Sequence, residues 1–199
     1  KNVVTQILQP DSFYVTQSVT NASCYTAADG EATIVATGGT AGYTYLWSNG
    51  QTTATATGLS QGTYAVTVTD ANGCVINVTV IVGSPTEIII TSTQVDVTCN
   101  GLSDGSALVS VTGGAGGYSY LWNTVPAQTT NTATGLTAGT YTVIVGDSTG
   151  CYSTLDVTIL EPDPLATNES VVNVTCNGGN DGSISTFITG GTAPYSVLW

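Results

Sequence analysis

The stretch from Cys24 to Trp47 recurs from Cys99 to Trp122, 75 residues on, and again from Cys176 to Trp199, a further 77 residues on. The three copies open Cys24-Tyr-Thr-Ala-Ala-Asp29-Gly30, Cys99-Asn-Gly-Leu-Ser-Asp104-Gly105 and Cys176-Asn-Gly-Gly-Asn-Asp181-Gly182. Each continues into a β-rich run, a double glycine and a Tyr-x-(Tyr/Val)-Leu-Trp segment. A period of this length is one small domain, so the chain reads as modules in series. Cys74 and Cys151 each lie 11 residues before a proline, Pro85 and Pro162, and Pro10 is the equivalent residue of an earlier copy. The expected organisation is the tail of a preceding repeat at 1–10, full repeats at 11–85 and 86–162, and the first half of a truncated repeat at 163–199. On this reading the fifth cysteine, Cys176, has its partner outside the chain.

Within the first full repeat, short β-branched runs fall near 12–17, 19–24, 31–37, 43–48, 51–57, 63–69 and 74–83. Turn residues such as Asp29-Gly30, Gly38-Gly39 and Asn49-Gly50 separate them and supply positive φ angles. Tyr64, Val66 and Val68 alternate with Ala65, Thr67 and Thr69, as in a sheet packed on one face, and Tyr141, Val143 and Val145 repeat the pattern. The expected fold class is all-β: tandem immunoglobulin-like β-sandwich modules of about seven short antiparallel strands, stacked end to end. The repeats differ in length at one place, where Ser48-Asn49-Gly50 becomes Asn123-Thr124-Val125-Pro126-Ala127. A hairpin tip tolerates such an insertion and a packed strand does not. An odd strand number, with short Pro-containing connections near 83–86 and 160–163, makes each module enter at one end and leave at the other. The array is then a semi-rigid rod.

Two cysteine pairings fit the spacing: within repeats (Cys24 with Cys74, Cys99 with Cys151) or across the boundary (Cys74 with Cys99, Cys151 with Cys176). Seven alternating strands would end the second and begin the seventh at the same pole, which favours the pairing within repeats. The boundary pairing would have to span a ten-residue strand, about 33 Å, where a disulfide allows about 7 Å between Cα atoms. Either staple requires an oxidising compartment.

Charge narrows the partners. The formal net charge is −12 with one Lys, no Arg and no His, which argues against nucleic acid and anionic membrane surfaces. No apolar run approaches the length of a membrane span, and no signal peptide is present. Trypsin has no internal site after Lys1, and Lys–Asn isopeptide crosslinks are excluded within the full repeats. Without His, Arg or a serine elbow, only paired carboxylates remain for catalysis, so the chain is not expected to be an enzyme, and no cofactor is implied.

Tyr45, Trp47, Tyr64, Tyr120, Trp122 and Tyr141 are expected in the core. Tyr43, Tyr45 and Trp47 share one strand face, which would stack sugars if exposed, but the third copy puts Val197 at the middle position, which fills a core and stacks nothing. Leu59-x-x-Gly62-x-Tyr64 and Leu136-x-x-Gly139-x-Tyr141 resemble the tyrosine corner of immunoglobulin-like sandwiches. Asp29, Asp70, Asp104 and Asp147 offer a calcium alternative, since carboxylates and carbonyls suit that ion. The simpler reading is that Asp-Gly and Asp-x-x-Gly are turns, and one or two acids per site is thin ligation. Sequons at Asn21, Asn77, Asn168 and Asn173, and an Asp147-Ser148-Thr149 match to a bacterial O-glycosylation signal, are weak in a chain this rich in Thr and Asn.

Together, Cys-x-Gly-x-x-Asp-Gly, Gly-Gly-x-x-x-Tyr-x-Tyr-x-Trp, Leu-x-x-Gly-Thr-Tyr-x-Val-x-Val-x-Asp-x-x-Gly-Cys and a closing Glu-Pro resemble the SprB repeat of large cell-surface adhesins in gliding Bacteroidetes. The first copy departs, with Tyr25-Thr26 for Asn-Gly and no Glu before Pro85. The resemblance implies an extracellular, surface-exposed filament exported by type IX secretion. Other parts of such a protein would hold a substratum or surface polysaccharide, and the gliding and secretion machinery would be partners. A carbohydrate-binding module array and a structural surface filament without adhesive role are the alternatives.

Overall fold

A computed structural model describes residues 11–199; the expected tail of a preceding repeat at 1–10 lies outside the described residues. Fourteen strands follow one another among the described residues. They are β1 (Tyr14–Thr20), β2 (Gly30–Thr37), β3 (Thr44–Trp47), β4 (Thr55–Leu59), β5 (Gly62–Thr69), β6 (Val75–Val82), β7 (Ile89–Val95), β8 (Gly105–Thr112), β9 (Ser119–Trp122), β10 (Thr132–Leu136), β11 (Gly139–Gly146), β12 (Tyr152–Ile159), β13 (Ala166–Val172) and β14 (Ser183–Thr189). The chain forms two compact units. One comprises the chain up to Glu87 with Gly113–Gly116 and Thr149–Cys151; the other comprises Ile88–Thr112, Gly117–Ser148 and Tyr152–Trp199.

In the first unit two antiparallel three-stranded sheets, ordered β1-β2-β4 and β3-β5-β6, are the layers of a sandwich. Period-2 alternation sends one set of side chains inward from each sheet. Ala32, Ile34 and Ala36 of β2 and Ala56 and Leu59 of β4 join Trp47 of β3, Val66 and Val68 of β5, and Val80 and Val82 of β6 in one buried cluster. The expected alternation on β5 holds: Val66 and Val68 are buried while Ala65 is exposed. The second unit repeats the plan with sheets β10-β8-β7 and β12-β11-β9, and adds the hairpin β13-β14. Its buried residues include Val109, Trp122, Leu136, Val143, Val145 and Ile159.

Each full repeat has six strands, not about seven. The runs at 12–17 and 19–24 are a single strand, β1, which pairs with β2 along its whole length from Tyr14↔Thr37 to Thr20↔Glu31. Nor do consecutive strands always reverse. β4 is antiparallel to β2 and β3 is antiparallel to β5. The ends of β1 and β6 meet where the Ala22 N–H donates to the Gly83 carbonyl. β1, β3, β4 and β6 therefore run one way and β2 and β5 the other. The chain crosses from one sheet to the other between Trp47 and Thr55 without turning back, so it still enters the sandwich at one end, near Asp11, and leaves at the other, near Gly83.

Two glycine positions show why the turns keep their chemistry. On β4, Thr57 and Leu59 pair with the successive residues Glu31 and Gly30, leaving Gly58 as the extra residue of a bulge at φ 68°. Only glycine adopts such a backbone without strain; Gly135 repeats it at the same φ. Gly30 was expected to supply a positive φ and does not. It is glycine because a Cβ there would stand 2.7 Å from both the Leu59 carbonyl oxygen and a Val82 methyl.

Of the six aromatics expected in the core, the two Trp are buried and the four Tyr are half-buried at its margin. Trp47 and Trp122 are buried, and their indole N–H groups donate to the carbonyls of Thr53 (2.8 Å) and Thr130 (2.9 Å). Tyr64 and Tyr141 are half-buried, and each hydroxyl donates to the carbonyl four residues back, Ser60 at 3.0 Å and Thr137 at 3.1 Å, which makes them tyrosine corners. Tyr45 and Tyr120 are half-buried, opposite Val68 and Val145. In urea titrations Trp47→Ala should destabilise the first sandwich by about 3–5 kcal/mol through lost burial and a cavity. Tyr64→Phe, which deletes one hydrogen bond, should cost about 1 kcal/mol.

Candidate functional site

The cysteine-bearing loops are the most regular polar constructions in the chain. In each copy the residue before the first cysteine donates its amide and its hydroxyl to the aspartate six positions on. Ser23 does so to Asp29, Thr98 to Asp104 and Thr175 to Asp181, with amide distances of 2.9, 3.1 and 3.1 Å. A tight turn follows, closed by Ala27 N–H to Cys24 carbonyl, Leu102 to Cys99 and Gly179 to Cys176. The bidentate use of the carboxylate closes the loop and fixes where each cysteine projects.

The second cysteine sits in a different clamp at the other end of the sandwich. Asp70 is buried. Its Oδ1 accepts from the amides of Asn72 (2.9 Å) and Cys74 (2.8 Å), and its Oδ2 accepts from the amide of Thr40 (2.9 Å), so one carboxylate binds the β5–β6 turn to the β2–β3 loop. The double glycine accommodates it, since a Cβ on Gly39 would lie 2.7 Å from Asp70 Oδ2. Asp147 is buried at the equivalent position of the second repeat.

These acids are turn builders. Among the described residues no three of His, Cys, Asp and Glu come close enough to hold a metal ion. Asp29, Asp70 and Asp104 spend their carboxylates on backbone amides, with a hydroxyl added at Asp29 and Asp104.

The disulfide expectation is overturned. Cys24 is bonded to Cys151, with 5.7 Å between Cα atoms, and Cys74, Cys99 and Cys176 are exposed thiols. Neither Cys24–Cys74 nor Cys99–Cys151 forms. Merging the first two runs into β1 puts Cys24 past the end of β1, beside Gly83, whereas Cys74 immediately precedes β6 at the opposite end. The eight residues of β6 separate those ends by about 26 Å, far beyond disulfide reach. The same holds for Cys99 and Cys151, because the Val97 N–H donates to Leu160 beyond the far end of β12 while Cys151 precedes its start. The bond that does form closes a separation of 127 residues. In the chain-entropy picture a loop of that size contributes about 5 kcal/mol.

A further latch was not expected from the sequence. In the second repeat the Gly101 amide donates to Glu161 Oε2 (2.8 Å) and the Asn100 side chain to the Pro162 carbonyl (3.2 Å). The two motif departures of the first copy, Tyr25-Thr26 and Ser84-Pro85, are thus the two halves of this one latch lost together. Their joint loss was the readable signal. The length difference falls in a loop, but not in the expected hairpin tip: Trp47 N–H to Gln51 carbonyl and Trp122 N–H to Gln128 carbonyl close turns of unequal length in the crossing between the two sheets. Gln51 and Gln128 each make the same two amide bonds, to Thr57 and Thr134.

Two-sheet sandwiches in tandem, with carboxylate-clamped loops, define an all-β repeat module. The chain belongs to the SprB-repeat family, whose model, "SprB repeat", matches residues 16–52, 91–127 and 168–199, more than half of the chain. No curated protein matches the sequence. Similar solved structures include three N-terminal domains of the bacteriophage RB49 Highly Immunogenic Outer Capsid protein, at 20% identity over 89% of this chain and 70% of that one, TM-score 0.44. An amphioxus IgVJ-C2 molecule is 14% identical over 76% of this chain and 99% of that one, TM-score 0.27.

The clamps make stability pH-dependent. The Ser23 hydroxyl and amide lower the pKa of Asp29, Thr98 and Thr175 do the same to Asp104 and Asp181, and the amides of Thr40 and Cys74 lower that of Asp70. Because folding depresses these values, the unfolded chain takes up protons first as pH falls. The stabilisation is fully present above the unfolded aspartate range of about 3.9 and is lost as pH drops through the lower folded values. Urea midpoints should be flat from pH 7 to 5 and fall below pH 4. Asp70→Asn should lower the midpoint at pH 7 and flatten the acid limb.

Proposed function

We infer that this chain is a stretch of the repeat region of a long, secreted, cell-surface filamentous adhesin, in which the modules act as a disulfide-linked, semi-rigid stalk in surface attachment. The observation that carries this reading is recurrence: one clamped, two-sheet unit is copied along the chain, with its recurring aspartates bonded to its own loops. The entry and exit of the chain at opposite ends of a sandwich suit a linear array. The family supports the extracellular location. Export by the type IX route and movement by a gliding machinery belong to the same reading and rest on the family alone.

The carbohydrate-module alternative is weakened where it was strongest. Trp47 and Trp122 are buried, and Tyr43 and Tyr45 pack against the core, so in the full repeats the aromatic row is turned away from any sugar ring.

Two measurements on one strain and one protein test the reading. Deleting the gene should reduce attachment to the natural substratum severalfold, while the purified chain should show no saturable binding to the same substratum or its polysaccharides. Unchanged attachment on deletion would leave a structural filament, and saturable glycan binding by the chain would leave a carbohydrate-binding array.

A further inference from the structure

Cys24 and Cys151 are not equivalent positions. Cys24 is a first cysteine, held in a loop by the Ser23–Asp29 clamp, and Cys151 is a second cysteine, held in a turn of the next repeat. The first-cysteine loops at Cys99 and Cys176 carry the same clamp and the same closing turn. The turns at Cys74 and Cys151 share a glycine of matching conformation just before the sulfur, Gly73 at φ 84° and Gly150 at φ 88°. The clamp and closing turn that hold Cys24 thus recur at Cys99 and Cys176, with a latch to Glu161 and Pro162 added at Cys99, and the glycine turn that holds Cys151 recurs at Cys74.

We propose that Cys24–Cys151 is one rung of a general pairing, in which the first cysteine of each repeat bonds the second cysteine of the repeat that follows. By this rule Cys99 bonds the third repeat's counterpart of Cys151, Cys74 bonds the first cysteine of the repeat before its own, and Cys176 bonds the second cysteine of the repeat after its own. The exposed thiols are half-rungs that take neighbouring repeats as partners. In each rung two S–H bonds break and one S–S bond forms. The two protons and two electrons pass to an oxidised disulfide carrier of the export compartment, which leaves as a dithiol.

Successive rungs then overlap along the chain. One closes 24–151 and the next starts inside it, at Cys99, so the segment from 99 to 151 lies within both loops. No repeat can be drawn out of the array without breaking a sulfur–sulfur bond. The pairing rule does not depend on the adhesive reading and survives if the filament binds nothing.

The test is disulfide mapping of the full-length protein, isolated under iodoacetamide and digested without reduction by an Asp-specific protease and chymotrypsin. The expected linked peptides join Cys24 to Cys151 and Cys99 to the second cysteine of the third repeat, with no alkyl label on Cys74, Cys99 or Cys176. Peptides joining Cys24 to Cys74, Cys99 to Cys151 or Cys74 to Cys99 would overturn the rule, as would alkylated Cys74 and Cys99. In full-length Cys151→Ser, alkylation should rise by one site, at Cys24, with the Cys99 rung intact; a new Cys24–Cys74 peptide would also overturn it.

Discussion

Everything in this chain depends on closing a thin apolar layer between two small sheets. A module of about 75 residues buries a modest share of its surface, and this one does it largely with Ala and Val. The one large side chain at the middle, Trp47 or Trp122, fills the layer and bonds a carbonyl across it. Toward the ends of the sandwich the apolar layer thins to a few side chains, such as buried Ala22 at one end and Phe13 stacked on Tyr43 at the other. The loops there are held by carboxylates: Asp29 and Asp104 at the end carrying the first cysteine and Asp70 at the end carrying the second, with Asp147 buried at the equivalent position.

That division of labour explains the composition. A sheet face turned to water is covered by Thr, which favours extended backbone and needs no counter-charge. The few charged residues are mostly acids, and several of the recurrent ones are structural. A sandwich closed this way has fixed ends, and fixed ends are what a covalent link between repeats requires, because a disulfide tolerates little error in Cα separation.

Much of this was legible in the residues. Alternation on β5, the buried Trp, the tyrosine corner, the loop that tolerates the insertion and the turn role of the acids each follow from a local pattern with a local cause. The cysteine pairing was not legible, because it depends on direction. Residues 19–24 read as a strand, since nothing in their composition announces that Ser23 and Cys24 are drawn into a loop by Asp29. Equally, Trp47 to Thr55 reads as a reversal, since the local sequence does not say that the chain changes sheet there without changing direction. The second of these is what decides the pairing: it moves Cys74 to the end that carries Cys24, whereas splitting β1 turns both cysteines over together. The Asn100-Gly101 and Glu161-Pro162 latch was hidden for a simpler reason: its halves lie 60 or more residues apart.

The most direct test of the account is mechanical. With the ends of the chain pulled apart under oxidising conditions, the bond between Cys24 and Cys151 carries the force past everything between them. Adding a reductant should release the 127 residues of that loop in one event of about 430 Å, at roughly 3.4 Å per residue. Two separate releases of about 170 Å each, the size of loops closed within single repeats, would contradict it.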